Sequence, residues 1–257
     1  MALIAGCGTW FVTALGAATV FFFRGSRHKI LNTMLGFAAG VMIAASFWSL
    51  LEPAIDRAER MLDVPAWLVA TAGFICGALF IWLSEKAAEA ARRNFGKAEK
   101  GGMKRTSMLV LSVTLHNIPE GLAVGVAFGA LGSGADGSEA LVAAISVAVG
   151  IALQNYPEGA AVALPMRREG CSRAKAFFAG QASGLVEPAA ALIGALTVAR
   201  TELLLPYALA FAAGAMILVA VHELIPGCRE NTEGSPYVST MGIIAGFALM
   251  MLLDTAL

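Results

Sequence analysis

Charge is scarce in this chain. Asp, Glu, Lys and Arg make up 14% of its 257 residues, and 58% are hydrophobic. A soluble domain carries about 25% charged and about 45–50% apolar residues. One domain of this size cannot hide the excess apolar surface, so lipid must cover part of it. The charges sum to zero, which removes the basic or acidic field that would argue for nucleic acid as a partner. Cysteine is sparse as well. Cys7, Cys76, Cys171 and Cys228 share no CxxC spacing, which excludes a thiolate metal site and gives no disulfide framework. Long polar stretches are nearly absent: one segment, about 85–105, is basic and contains glycine.

What fills the chain is apolar runs long enough to cross a bilayer, which takes about 20 residues. Eight are present, at roughly 2–23, 31–51, 65–84, 106–131, 139–165, 174–198, 203–224 and 237–256. Gly and Ala recur in nearly all of them, as close helix packing in lipid requires. The fold predicted is therefore all-α, a polytopic membrane protein with eight transmembrane helices. Of the 18 Lys and Arg residues, 15 fall in alternate loops, and the opposite loops hold only Arg57, Arg60 and Arg200. The positive-inside rule then puts segment 85–105 in the cytoplasm and both termini outside it. The expected location is the bacterial inner membrane.

Ionisable residues inside the spans are few and therefore informative. The fourth span contains His116-Asn117-Ile118-Pro119-Glu120-Gly121, and the fifth contains Gln154-Asn155-Tyr156-Pro157-Glu158-Gly159. The sixth contains Glu187-Pro188, and the seventh ends in His222-Glu223-Leu224-Ile225-Pro226-Gly227. Glu120, Glu158 and Glu187 have no Lys or Arg deep enough to pair with them. Three buried carboxylates need protons or a cation. The neighbouring His116 and Gln154 point to a metal, since imidazole and carboxylate both suit zinc and its neighbours.

Spacing supports that reading. His116 and Glu120 are four apart, on one helix face, and Gln154 and Glu158 repeat the relation. Pro119 and Pro157 have no N–H, so the carbonyls of Leu115 and Leu153 lose helical partners and kinks are expected in spans four and five. Freed carbonyls can help bind ions in broken membrane helices. Residues 116–124 and 154–162 are identical at six of nine positions. Consecutive spans run in opposite directions, so the two segments form an inverted repeat, and transporters place substrate at such an interface. His222 and Glu223 lie at the cytoplasmic end of span seven, where solvation explains them as well as metal contact does.

At the motifs HNIPEGLAVGVAFG, QNYPEGAAVALPMRREG, GLVEP and HELIPG the chain resembles the ZIP (Zrt/Irt-like) family of divalent metal transporters, in its GufA-like branch. The resemblance covers 1–257 as a single transmembrane transporter domain. It implies transport of divalent transition-metal ions toward the cytoplasm, with zinc as the first substrate and cadmium, iron or manganese as others. It implies a two-metal site between spans four, five and six. One metal would be held by His116, Glu120, Gln154 and Glu158. The second would use Asn117, Asn155 and Glu187, with Glu120 and Glu158 bridging. Ser49 and Asp56 would map to the entrance. A homodimer in membrane lipid is implied too. Many relatives have His where this chain has Gln154, and a His-rich loop where segment 85–105 has no His.

Two other functions use the same residues. A divalent-metal-selective channel could share the ligands. An intramembrane metalloenzyme is disfavoured because HELIPG has Pro226 where a zinc-protease H-E-x-x-H needs its second His.

Overall fold

The computed structural model describes residues 1–22, 28–95, 103–132, 137–229 and 237–256. Every regular element among them is helical. Part of the expected cytoplasmic loop, 96–102, lies outside the described residues, as do Arg24, Arg27 and Asp136.

Helix α1 spans Ala2–Phe22. Helix α2, His28–Ala45, passes through a π turn at Ser46–Leu51 into α3, Glu52–Met61. Helices α4, α5 and α6 are long, at Ala66–Phe95, Met103–Gly129 and Gly137–Arg168. The sixth span divides into α7, Arg173–Ser183, and α8, Val186–Arg200. Helix α9, Leu205–Val219, ends in a second π turn at Ala220–Leu224 followed by α10, Ile225–Gly227; α11, Tyr237–Ala256, completes the set. Seven of these stretches are long and apolar enough to cross a membrane. The other expected span falls on α5, which is 27 residues long.

The helix runs unbroken through Pro119 and Pro157. Its geometry changes elsewhere, ahead of other prolines. Pro53 and Pro226 cannot donate to the carbonyls of Ser49 and His222, four residues back. In each case the turn widens and an i→i−5 bond takes over, from Glu52 N–H to the Phe47 carbonyl and from Ile225 N–H to the Ala220 carbonyl. Such π turns concentrate at functional sites.

Glycine sets the pairing of the spans. A Cβ on Gly16 of α1 would strike the Tyr156 carbonyl of α6, and one on Gly159 of α6 would strike Thr13 of α1. Helices α2 and α11 interlock the same way through Gly40 and Gly246, α4 and α9 through Gly77 and Gly214, and α5 and α8 through Gly125 and Gly194. Backbones in contact replace the hydrophobic drive that lipid does not supply. Gly77→Leu should therefore lower the thermal midpoint of the detergent-solubilised protein sharply, since overpacking of this kind costs about 1–3 kcal/mol or more. Gly8→Leu should change it little, because nothing lies within 4 Å of a Cβ there. Equal midpoints for the two variants would refute this packing scheme. Trp67 and Phe22 face outward, whereas Trp48 is half-buried edge-on against Phe47 and Phe247.

Candidate metal-binding site

The polar residues predicted within spans four to six lie inside the helix bundle. Asn117, Glu120, Gln154, Asn155 and Glu187 are fully buried, and His116 and Glu158 are each 4% exposed. Helix α5 supplies His116, Asn117 and Glu120 from one face, and α6 supplies Gln154, Asn155 and Glu158 from the facing one. The break between α7 and α8 supplies the rest. Helix α7 stops at Ser183, which frees its carbonyl, and Glu187 lies in the first turn of the next helix. Gly184 makes room at that break: a Cβ there would meet Glu187 Oε1 at 2.8 Å and Thr13 Oγ1 at 3.0 Å.

Each of the three amides donates its NH2 to a protein acceptor. Gln154 Nε2 donates to Glu120 Oε1 at 2.7 Å. Asn155 Nδ2 donates to Glu187 Oε2 at 2.7 Å, and Asn117 Nδ2 donates to the Ser183 carbonyl at 2.9 Å. Their carbonyl oxygens are left without a partner. Asn117 Oδ1, Gln154 Oε1, Asn155 Oδ1, Glu120 Oε2 and both Glu158 oxygens are buried and unbonded. Buried polar atoms are nearly always paired, so six on one pair of facing helices need a cause. All six are oxygens that accept, and none is a donor. A water or a donor side chain would suit some of them; a hard or borderline cation suits the whole set. Glu187 differs. Asn155 satisfies one of its oxygens, and Thr13 Oγ1 donates to the other at 3.2 Å.

His116 lies at the edge of this set and faces a second group of acids. Its Nε2 is 3.3 Å from Glu85 Oε1 and its Nδ1 is 3.1 Å from Glu223 Oε2. Ligand atoms of Glu85, His116 and Glu223 lie within 4.8 Å of one another, the spacing a metal ion needs. Among the described residues, His116, Glu120 and Glu158 do not converge as tightly. Exposure rises stepwise outward from His116, with Glu85 at 18%, Glu223 at 31% and His222 at 69%. His222 Nε2 stands 3.9 Å from Glu85 Oε2. The second π turn places His222 and Glu223 beside Glu85 of α4. Glu223 therefore has contacts beyond helix-end solvation.

The two residues mapped to the entrance have partners outside both of these groups. Ser49 Oγ bonds both carboxylate oxygens of Asp254, at 2.8 and 2.9 Å. Asp56 is exposed and pairs with Arg60 at 2.8 Å, one turn along the same helix. Sequence reasoning did not pick out Glu85, Asp254 or Ser146. Glu85 reads as the first charged residue after an apolar run, and nothing in its neighbours marks it as different. Asp254 carries a signal that could have been used, as it is the single acid in the eighth span.

A family model described as "ZIP Zinc transporter" matches residues 93–254. The chain is 38% identical to "Zinc transporter ZIP11" of Xenopus tropicalis, over 97% of this chain and 95% of that one. It is 38% identical to "Zinc transporter ZIPB" of Bordetella bronchiseptica, over 100% of this chain and 81% of that one. With "Zinc transporter GufA" of Myxococcus xanthus the identity is 37%, over 95% and 94%.

Proposed function

This chain belongs to the ZIP zinc transporter family, and we propose that it carries divalent metal ions, zinc first, across the membrane through the polar centre between α5, α6 and the α7–α8 break. It is an integral, multi-pass membrane protein. The observation that carries the proposal is the set of six buried oxygens without partners. Zinc accepts carboxylate and carbonyl oxygen together with imidazole, and the centre offers all three types.

Two metals would share the centre. His116, Glu120, Gln154 and Glu158 would hold one. Asn117, Asn155 and Glu187 would hold the other, with Glu120 and Glu158 bridging. In the present conformation Glu187 is bonded to Asn155 and Thr13, so the second position would form only after those bonds rearrange. From His116 the ion would pass to Glu85 and Glu223 and then to the exposed His222. That exit would lie on the cytoplasmic side, with both termini outside and two copies forming a dimer. An impermeant thiol reagent on intact cells should label Gly134→Cys and leave Lys97→Cys unlabelled. The reverse pattern would invert the orientation and the direction of exit.

Binding can be measured apart from transport. Zinc at about 100 times its Kd should stabilise the purified protein by about 2.7 kcal/mol through linkage. Glu120→Ala and Glu158→Ala should lose most of that shift. A wild-type shift in both variants would mean that the ion binds elsewhere.

Gln154 sets affinity. Gln154→His should tighten zinc binding, since imidazole nitrogen is a better zinc ligand than amide oxygen. Turnover should fall, because a carrier must also release its ion. Unchanged affinity would mean that Gln154 does not touch the metal.

A further inference from the structure

Asp254 is a carboxylate that the transport path does not use. It lies near the end of α11, and its partners come from two other spans. Ser49, in the first π turn, donates to both of its oxygens. Ser146 Oγ of α6 donates to Oδ1 at 2.9 Å. Met250, one turn back on α11, lies over Gly150 of α6, where an added Cβ would be 2.5 Å from its sulfur. Ser146, Gly150 and Gln154 follow one another at intervals of four along one face of α6. Gln154 therefore lies about 12 Å beyond Ser146, at 1.5 Å per residue.

We propose that the Ser146–Asp254 hydrogen bond is a lock that, with Met250 over Gly150, closes the approach to the polar centre from the end of α6 opposite His222. This rests on the transport reading above. The lock joins units that are each tightly packed within themselves. Helices α2 and α11 interlock through glycine, and so do α1 and α6, but α11 has no such interlock with α6. A hydroxyl-to-carboxylate bond and a flexible thioether can separate without unpacking a helix pair. Asp254 need not lose all its partners when they do, because Ser49 lies in the π turn that follows α2, the helix interlocked with α11, and keeps donating. On the other side the path stays graded in exposure from His116 to His222. The present conformation is thus closed at Asp254 and leads out at His222.

Ser146→Ala removes the α6 half of the lock and touches no metal ligand. A larger share of molecules would then be open on the Ser146 side. The apparent affinity of a binding-competent state falls in proportion to its population, so enlarging that population lowers the KM for ion offered there. The test is zinc uptake into proteoliposomes, with zinc on the Ser146 side, for wild type and Ser146→Ala. The expected result is a KM lower by about fivefold, the change produced by removing one ordinary hydrogen bond. Uptake with an unshifted KM, whether or not the maximal rate falls, would overturn the lock and leave transport standing. No uptake by the wild type would overturn the transport reading and the lock with it. A second variant pair covers the case in which Ser146→Ala fails to fold. Ser146→Cys with Asp254→Cys, oxidised to a disulfide, should stop uptake, and reductant should restore it. Full uptake by the cross-linked protein would show that transport does not require this contact to open, and would overturn the lock.

Discussion

Zinc uptake by Glu158→Ala should fall at least about 100-fold, and Glu120→Ala should fall as far. Both oxygens of Glu158 and one of Glu120 are buried without partners. These are the groups with capacity for an ion. Losing a residue that merely orients a metal ligand costs about 10–100-fold, so losing a charged ligand should reach or pass that upper bound. The arrangement proposed above adds a second reason, since both acids would bridge two metals. Glu187→Ala should be milder and leave measurable uptake. Its oxygens are already bonded to Asn155 and Thr13. Its loss should appear in part as lowered stability, because Asn155 would lose an acceptor in a buried site. Wild-type uptake by either Glu120→Ala or Glu158→Ala would contradict this order.

His116→Ala should lower uptake more than Glu85→Ala or Glu223→Ala, by about 10-fold or more, in the range for disruption around a metal site. His116 stands four residues from Glu120 in the central set and also contacts both outer acids. Two carboxylates against two ring nitrogens leave a neutral imidazole one donor short. A protonated ring, which donates from both nitrogens, or a metal ion in that group would satisfy both acids. His116 is thus the one side chain shared by the central set and the outer one. Each outer acid has the other to substitute for it, and His116 has no substitute. Equal losses in all three single variants would mean that the outer group acts as a unit and that His116 has no second role.

The central polar residues were legible in the sequence for a physical reason. An acid in an apolar span is expensive, so Glu120, Glu158 and Glu187 identify themselves, and helical spacing brings in His116 and Gln154. The eight spans and their all-helical nature were legible from length and composition. Less legible were the places where helix geometry changes. Pro119 and Pro157 pointed to the polar centre, yet the helix is unbroken through both. The π turns precede Pro53 and Pro226, which look no different in sequence. Whether a freed carbonyl is absorbed or opens a wider turn depends on what packs against it, and that is a tertiary property. The same limit hid Glu85. At the end of a span an acid has water available, so position carries no cost and gives no signal. Only the approach of α4 to His116 and Glu223 gives it a role.

The most direct test is metal uptake by proteoliposomes containing the purified protein, measured across a panel of divalent ions over a range of concentration. The account predicts uptake that is fastest or tightest for zinc, saturates as the ion concentration rises, and is lost in Glu158→Ala reconstituted to the same density. Flux that rises linearly with concentration would make the protein a channel. Zinc flux no greater than in empty liposomes would contradict transport through this centre outright.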